Sequence, residues 1–281
     1  MREINAQVIT KAVRDLFMQA NYVISCDVLD ELKRALEAEE SPVGKSILEQ
    51  IIKNDEIAKK EEIAMCQDTG LAVVFIELGQ NIRIIGGDLQ EAVDRGVRLA
   101  YQEGYLRKSV VSDPLFERKN TGDNTPAVIY IDIVPGDGIR IIAAPKGAGS
   151  ENMSAVKMLK PADGVEGVKK FVVDTVKKAG PNPCPPTIIG VGIGGTMERA
   201  ALLSKKALLR PLDQQNSDER YAKLEKEILE EINKSGIGPG GLGGRITSLA
   251  VHIEHFPTHI ACLPVAVNIC CHACRHAEAV I

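Results

Sequence analysis

Residues 257–276, PTHIACLPVAVNICCHACRH, hold four of the chain's seven cysteines and three of its five histidines. Thiolate and imidazole groups gathered this densely are the donors a transition metal selects. Cys262 and Cys270 read as small core hydrophobes on a buried strand, because cysteine is among the most buried residue types. Cys271-His272-x-Cys274-Arg275-His276 differs, since it interrupts the apolar run with reactive groups. Its Cys-x-x-Cys spacing suits a zinc knuckle, but the chain has no second such pair. Haem attachment needs histidine where Arg275 stands, and a thioredoxin-like pair would open an early helix. This stretch therefore supplies one or two ligands, and any others come from far away in sequence.

Two further cysteines stand in distinctive settings. Met65-Cys66-Gln67-Asp68-Thr69-Gly70 places a thiol, an amide, a carboxylate and a hydroxyl on a polar turn before the apolar run 71–78. Cys184 lies among the four prolines of Gly180-Pro181-Asn182-Pro183-Cys184-Pro185-Pro186. Such a segment follows neither a helix nor a ladder, and it holds the thiol on a stiff loop. Three thiolates far apart in sequence suit a [4Fe–4S] cluster whose fourth iron is open to substrate. A reading from another class is a non-catalytic protein using the C-terminal Cys/His run for structural zinc.

The elements that must position these groups follow from periodicity. Ile4, Val8, Ile9, Ala12, Val13 and Phe17 mark one helical face, Ser25 caps a second helix, and Ser41-Pro42 opens a third. Residues 1–60 are thus a helical N-terminal lobe. Strands are expected over 71–78 and 82–85, a helix over 89–105, and strands over 127–134 and 139–143. Pro135-Gly136-Asp137-Gly138 between the last two is a hairpin signal. Pro145-Lys146-Gly147-Ala148-Gly149-Ser150-Glu151-Asn152 is a glycine-rich loop suited to an anion, without Walker spacing. Helices are expected over 164–179, 197–209 and 217–234, with a strand over 246–253. Gly192-x-Gly194-Gly195 lacks the third glycine of a dinucleotide fingerprint, Met197 standing near its place. Gly236–Arg245 is too glycine-dense for regular structure and serves as a loop, a lid or a close approach to a ligand or partner. Helices interleave with strands without repeats. The expected architecture is a single mixed α/β domain over 1–281, the lobe followed by a cluster- and substrate-binding core over 61–281.

Composition narrows the class. The net charge of −4 is well mixed, aromatics are 4% and tryptophan is absent, which argues against nucleic acid and anionic membranes as partners. The first twenty residues lack a signal peptide's apolar segment, and no apolar run reaches the ~18 residues of a membrane span. An odd cysteine count fits reduced thiols in a cytoplasm.

Five motifs in order (Cys66-Gln-Asp-Thr-Gly70, Thr121-Gly-Asp-Asn-Thr-Pro126, Pro145-Lys-Gly-Ala-Gly-Ser-Glu-Asn152, Cys184-Pro-Pro with Gly192-Ile-Gly-Gly-Thr196, and Pro257-Thr-His-Ile-Ala261 with Pro264-Val-Ala-Val-Asn268 and Cys271-His272) resemble the class I fumarate hydratase family. The resemblance is to the alpha subunit of its two-subunit form, shared with L-tartrate dehydratase, and runs from about residue 60 to the C-terminus. It implies that Cys66, Cys184 and Cys271 hold a [4Fe–4S] cluster with one open iron, Cys270 and Cys274 flanking the third position. It further implies that Gln67, Arg107 and Gly149 contact a substrate carboxylate, and that Asp68 and His259 do acid–base work. The implied activity is an oxygen-sensitive hydro-lyase of the tricarboxylic acid cycle, interconverting fumarate and L-malate, with L-tartrate dehydratase as the alternative. Further substrate-binding cations and a hydroxyl base lie in the family's second domain. The implied partner is thus a beta subunit, in a heterodimer or heterotetramer that encloses a small dicarboxylate.

Overall fold

The computed structural model describes all residues, 1–281. In chain order the elements are β1 (Arg2–Asn5), α1 (Ala6–Tyr22), α2 (Cys26–Ala38), α3 (Pro42–Glu61), β2 (Leu71–Gly79), β3 (Ile82–Ile85), α4 (Leu89–Glu103), β4 (Val128–Val134), β5 (Ile139–Lys146) and α5 (Ala148–Glu151). They continue with β6 (Ala155–Leu159), α6 (Gly164–Ala179), β7 (Thr187–Gly194), α7 (Met197–Ala207), α8 (Glu219–Asn233), β8 (Ser248–Phe256), β9 (Leu263–Cys270) and β10 (Ala277–Val280). The class is mixed α/β, as expected. No helix is long and apolar enough to cross a membrane.

The chain divides into two compact units. The first comprises Met1–Ser25, Asn54–Ala148 and Arg275–Ile281; the second comprises Cys26–Lys53 and Gly149–Cys274. The helices of the first sixty residues are divided between them.

In the first unit, a four-stranded sheet runs β10-β5-β2-β4. Helix α1 buries Ile9, Val13, Leu16, Phe17 and Ala20, the spacing of one helical face, and packs against α4 and β5. Gly96 lets α4 approach closely, because a Cβ there would lie 2.7 Å from both the Thr10 carbonyl oxygen and the Val13 Cβ. The expected hairpin between β4 and β5 does not form. Strand β2 lies between them, parallel to β4 and antiparallel to β5. Residues 72–76 of β2 are all buried, whereas β4 is largely exposed, so burial selects β2 for the centre. The Pro135–Gly138 turn instead crosses the end of β2, where Gly79 donates to the Gly138 carbonyl at 2.9 Å. A Cβ at Gly79 would meet the carbonyl oxygens of Gly136 and Gly138 at 2.8 Å.

The second unit is built on a sheet of order β6-β9-β7-β8. Strand β7, TIIGVGIG, is buried throughout. Ile189, Val191 and Ile193 join a core with Val168, Val172 and Val176 of α6 and Ile228 and Ile232 of α8. The alternate positions are glycines facing α7. A Cβ on Gly190 or Gly192 would sit 2.0 Å from the carbonyl oxygens of Ser204 and Ala200 respectively. The fingerprint-like glycines thus serve helix-to-strand contact. Gly194 likewise faces the Phe256 carbonyl, 2.0 Å from where a Cβ would be. Cys270 is buried at the end of β9, as expected, but Cys262 precedes that strand in a turn closed by its N–H on the His259 carbonyl.

This packing gives a direct test. Gly192→Ala should cost about 3 kcal/mol, because the added methyl forces α7 off β7. Gly138→Ala, whose Cβ would find only the Ile281 carbonyl oxygen at 3.8 Å, should stay within about 0.5 kcal/mol of the parent in chemical denaturation.

Candidate active site

The polar turn Cys66–Gly70 of the first unit follows α3 and opens β2. Met65 anchors its start, donating to the Asn21 carbonyl at 3.0 Å and accepting from Asn54 Nδ2 at 2.8 Å. The Asp68 N–H points at Cys66 Sγ, 3.4 Å away. The Asp68 carboxylate accepts from the Gly70 N–H at 3.0 Å and, through Oδ2, from the Ala148 N–H at 2.8 Å. Gly70 has φ 83, and a Cβ there would lie 2.7 Å from the Lys146 nitrogen, so glycine is required. Gln67 is exposed, while Cys66 and Asp68 are half-buried.

Buried side chains brace this turn from behind. The Tyr101 hydroxyl lies 3.0 Å from the Thr69 carbonyl oxygen and 2.8 Å from that of Gly70. Asn124, wholly buried, donates through Nδ2 to the Gly70 carbonyl at 3.2 Å and accepts from the Ser109 N–H at 2.8 Å. Its φ of 65 places it in the left-handed region that asparagine tolerates. Asp123 sets up that conformation, accepting from the Thr125 N–H and hydroxyl and from Arg98 Nε. Burial alone would raise the Asp123 pKa, but these donors outweigh it and hold it at about 2. Thr69 Oγ1 accepts from the Arg107 N–H at 2.9 Å and donates to the Arg107 carbonyl at 3.2 Å. This fixes the exposed Arg107 beside the turn. Arg275 Nη2 donates to the Asp68 carbonyl, although Arg275 is only 5% exposed.

Sequence reasoning did not single out Tyr101, Asn124 or Arg275. Asn124 lies within a quoted motif and could have been found there. Arg275 carries no local signal beyond filling the place a haem-attachment histidine would take. Tyr101 looks like any apolar-face residue of α4.

In the second unit, Gly149 is exposed on the short α5, which Glu151 ties down. Lys205 Nζ donates to both Glu151 oxygens at 2.7 and 2.9 Å, and Asn268 Nδ2 donates to Oε2 at 3.0 Å. Cys184 is exposed at φ 55, its N–H bonded to the Pro181 carbonyl at 3.0 Å. A non-glycine residue in the left-handed region stores backbone strain, and such residues cluster at functional sites. Cys271 is half-buried just after β9, whereas Cys270 and Cys274 are buried, Cys274 Sγ lying 3.6 Å from the Leu208 carbonyl oxygen. None of the seven cysteines is in a disulfide. His259 is exposed, and its Nδ1 accepts from the Ala261 N–H at 3.1 Å, which leaves the neutral ring's proton on Nε2. Thr258 secures this turn by donating to the Gly195 carbonyl at 2.8 Å.

Cys66, Gln67, Asp68 and Arg107 are therefore brought together in the first unit, while Gly149, Cys184, His259 and Cys271 belong to the second. No three His, Cys, Asp or Glu side chains form a ready ion site. A thiol, an amide and a carboxylate share one braced turn, to which the Arg107 backbone is hydrogen-bonded, and these are group types an enzyme active site uses. The glycines of the only fingerprint-like run are used in backbone packing, which removes the case for a nucleotide binder.

The comparisons agree. The family described as fumarate hydratase (fumerase) matches residues 10–280. "Putative L(+)-tartrate dehydratase subunit alpha" of Methanocaldococcus jannaschii is 46% identical over 278 residues, covering 96% of each chain. L(+)-tartrate dehydratase subunit alpha of Escherichia coli strain UTI89 is 36% identical over 282 residues, 98% of this chain and 92% of that one. The protein of the same description from Shigella sonnei is 35% identical over 282 residues, with the same coverage. The chain belongs to the fumarate hydratase family, as a member of its alpha-subunit type. It is a hydro-lyase, and the zinc-protein alternative falls away.

A buried carboxylate near Arg275 has an electrostatic consequence. Asp55 is 3% exposed. Burial pushes its pKa from 3.8 up to about 6, against the pull of Asn54 and the Arg275 charge. The folded state thus holds the proton more tightly than the unfolded chain, and the stability this contributes below about pH 4 is lost as pH rises through 6. Asp55→Asn should stabilise the chain at pH 8 by about 2 kcal/mol and leave it nearly unchanged at pH 4, as read by denaturation at the two pH values.

Proposed function

We propose that this chain is the cluster-bearing subunit of a hydro-lyase that interconverts fumarate and L-malate by reversible addition of water. The observation that carries the reading is the braced turn, which holds Cys66, Gln67 and Asp68 next to Arg107. The donor set fits a [4Fe–4S] cluster: Cys66, Cys184 and Cys271 are outside disulfides, on loops, and at least partly exposed. The Asp68 N–H aimed at Cys66 Sγ is the kind of donor that stabilises a thiolate ligand. With one iron left open, such a cluster supplies a Lewis acid able to grip a hydroxyl and a carboxylate.

The protein's own groups do the rest. In hydration, oxygen joins one alkene carbon and a proton joins its neighbour; the reverse reaction breaks that C–H bond and the C–O bond. Negative charge builds on the carboxylate beside the carbon that loses its proton, so fixed donors there lower the barrier. Arg107 offers a guanidinium, Gln67 an amide, and Gly149 a backbone N–H on an exposed turn. Asp68 is oriented by two N–H donors and keeps lone pairs free to take a proton. His259, exposed and with its ring oriented by the Ala261 N–H, offers Nε2 as the second acid–base group.

Among these residues Arg107 is the one cation offered to a substrate with two carboxylates. A partner beta subunit would carry the remaining cations and a hydroxyl base, in a heterodimer or heterotetramer with reduced thiols in the cytoplasm. The named relatives, each an alpha subunit, support this. They also favour a second reading, L(+)-tartrate as substrate, which differs from malate by one hydroxyl. A single hydrogen-bond partner is enough to discriminate the two.

Replacing Cys66, Cys184 or Cys271 with serine should abolish iron retention after anaerobic reconstitution, whereas Cys26→Ser and Cys262→Ser should bind iron like the parent. Wild-type iron in any of the first three removes that residue from the ligand set. Assayed without air on fumarate, L-malate and L-tartrate, the chain should turn over only when mixed with its partner, and the preferred substrate names the enzyme. Full turnover by the chain alone would overturn the two-subunit reading.

A further inference from the structure

Glu39 lies just past the end of α2, outside every motif quoted above, and is 1% exposed. Its Oε1 accepts from the N–H groups of Glu40 at 2.8 Å and Ser41 at 2.9 Å, and its Oε2 from that of Ile246 at 2.8 Å. The Arg245 N–H is shared, 2.9 Å from each oxygen. Burial alone would raise this carboxyl's pKa, but the amide donors reverse that and hold it below the usual range. Two glycines leave it room: a Cβ on Gly44 would lie 2.9 Å from Glu39 Cγ, and one on Gly244 would lie 2.9 Å from both oxygens.

What Glu39 grips is the glycine-dense segment 236–245. The close approach expected of that segment is made to the chain itself. Its inner turn, Pro239–Gly241, meets the proline loop on both sides of Cys184. The Gly240 N–H donates to the Pro185 carbonyl at 2.8 Å. Gly241, at φ 74, packs so tightly on Pro181 that a Cβ would lie 2.2 Å from the proline's own. Cys184 completes the turn by donating to the Pro181 carbonyl. A continuous set of contacts thus runs from a buried anion, through a loop in which six of ten residues are glycine, to the strained backbone of one thiol.

We propose that Glu39 is a positioning residue for Cys184: its carboxylate fixes the 236–245 loop, which in turn holds the Pro181–Pro185 mount. The proposal rests on reading Cys184 as a cluster ligand. Proline rigidity limits the mount's own conformations; the glycine loop packs against it, tied at one end by Thr247 Oγ1 on the Gly238 N–H at 3.1 Å and at the other by Glu39.

The test uses the full chain. In its iron-free form, Glu39→Gln should raise hydrogen exchange at the Cys184 and Gly240 amides at least tenfold. After anaerobic reconstitution it should lose iron to a chelator at least fivefold faster. Arg245→Ala keeps the backbone donor to Glu39 and should match the parent in both. Faster exchange confined to Arg245 and Ile246, with iron release unchanged, would overturn the proposal. If Glu39→Gln does not fold, Gly241→Ala breaks the same chain of contacts further along. It should speed exchange at Cys184 without affecting Arg245 or Ile246, and parental exchange at Cys184 there would also overturn the idea. Cys184→Ser, with Glu39 intact, tests the ligand reading separately: iron retained by that variant refutes the ligand, whereas the exchange data refute the positioning.

Discussion

The carbonyls of Asp68, Thr69 and Gly70 turn away from β2 and need donors other than a neighbouring strand. A buried carbonyl left without a donor costs about 1–3 kcal/mol, comparable to a large share of a domain's net stability. Arg275, Tyr101 and Asn124 supply those donors from three separate parts of the chain. Much of the first unit follows from that requirement. Helix α4 must deliver Tyr101, the Asp123 loop must fold so that Asn124 points inward, and the chain must return at its C-terminal end with Arg275. Cys66, Gln67 and Asp68 sit on this satisfied backbone, Gln67 exposed and Cys66 and Asp68 half-buried.

The second unit solves a different problem with less side-chain material. Strand β7 is buried on both faces, and glycine at alternate positions brings α7 against it at backbone distance. That contact leaves no room for a ligand over the strand at Gly190 and Gly192, and these strand glycines serve packing. Carboxylates then do what side-chain bulk does elsewhere. Glu151 joins α5 to Lys205 and Asn268, and Glu39 gathers the amides around the glycine loop. Both are buried or half-buried anions whose charge is spread over several donors. Such arrangements tolerate low dielectric and fix geometry more tightly than apolar contacts do.

The motifs shared with the fumarate hydratase family consequently divide by role. Cys66-Gln67-Asp68 and Cys184 present reactive groups. Thr121–Pro126 and Asn268 serve as braces, their polar side chains turned toward the protein's own backbone or carboxylates. A motif's polarity alone does not separate these roles, because an asparagine that grips a substrate and one that grips a carbonyl are spelled identically.

Sequence alone determined a good deal. Helices α1, α4, α6 and α8 were legible because their apolar faces recur at helical spacing, and β2 and β9 because they are short apolar runs bounded by turn residues. The three cysteine settings were legible because proline, glycine and clustered polar residues mark irregular backbone. The short strands β1, β6 and β10 and the one-turn α5 were not, since their four or five residues lack the apolar run that marks the equally short β3. Strand order was likewise decided by tertiary burial: a four-residue turn signals a reversal, but only the competition for the sheet's centre put β2 between β4 and β5. The same holds for Arg275, Tyr101 and Glu39. Their importance lies in which distant backbone groups lack a partner, and those groups come together only once the chain has folded.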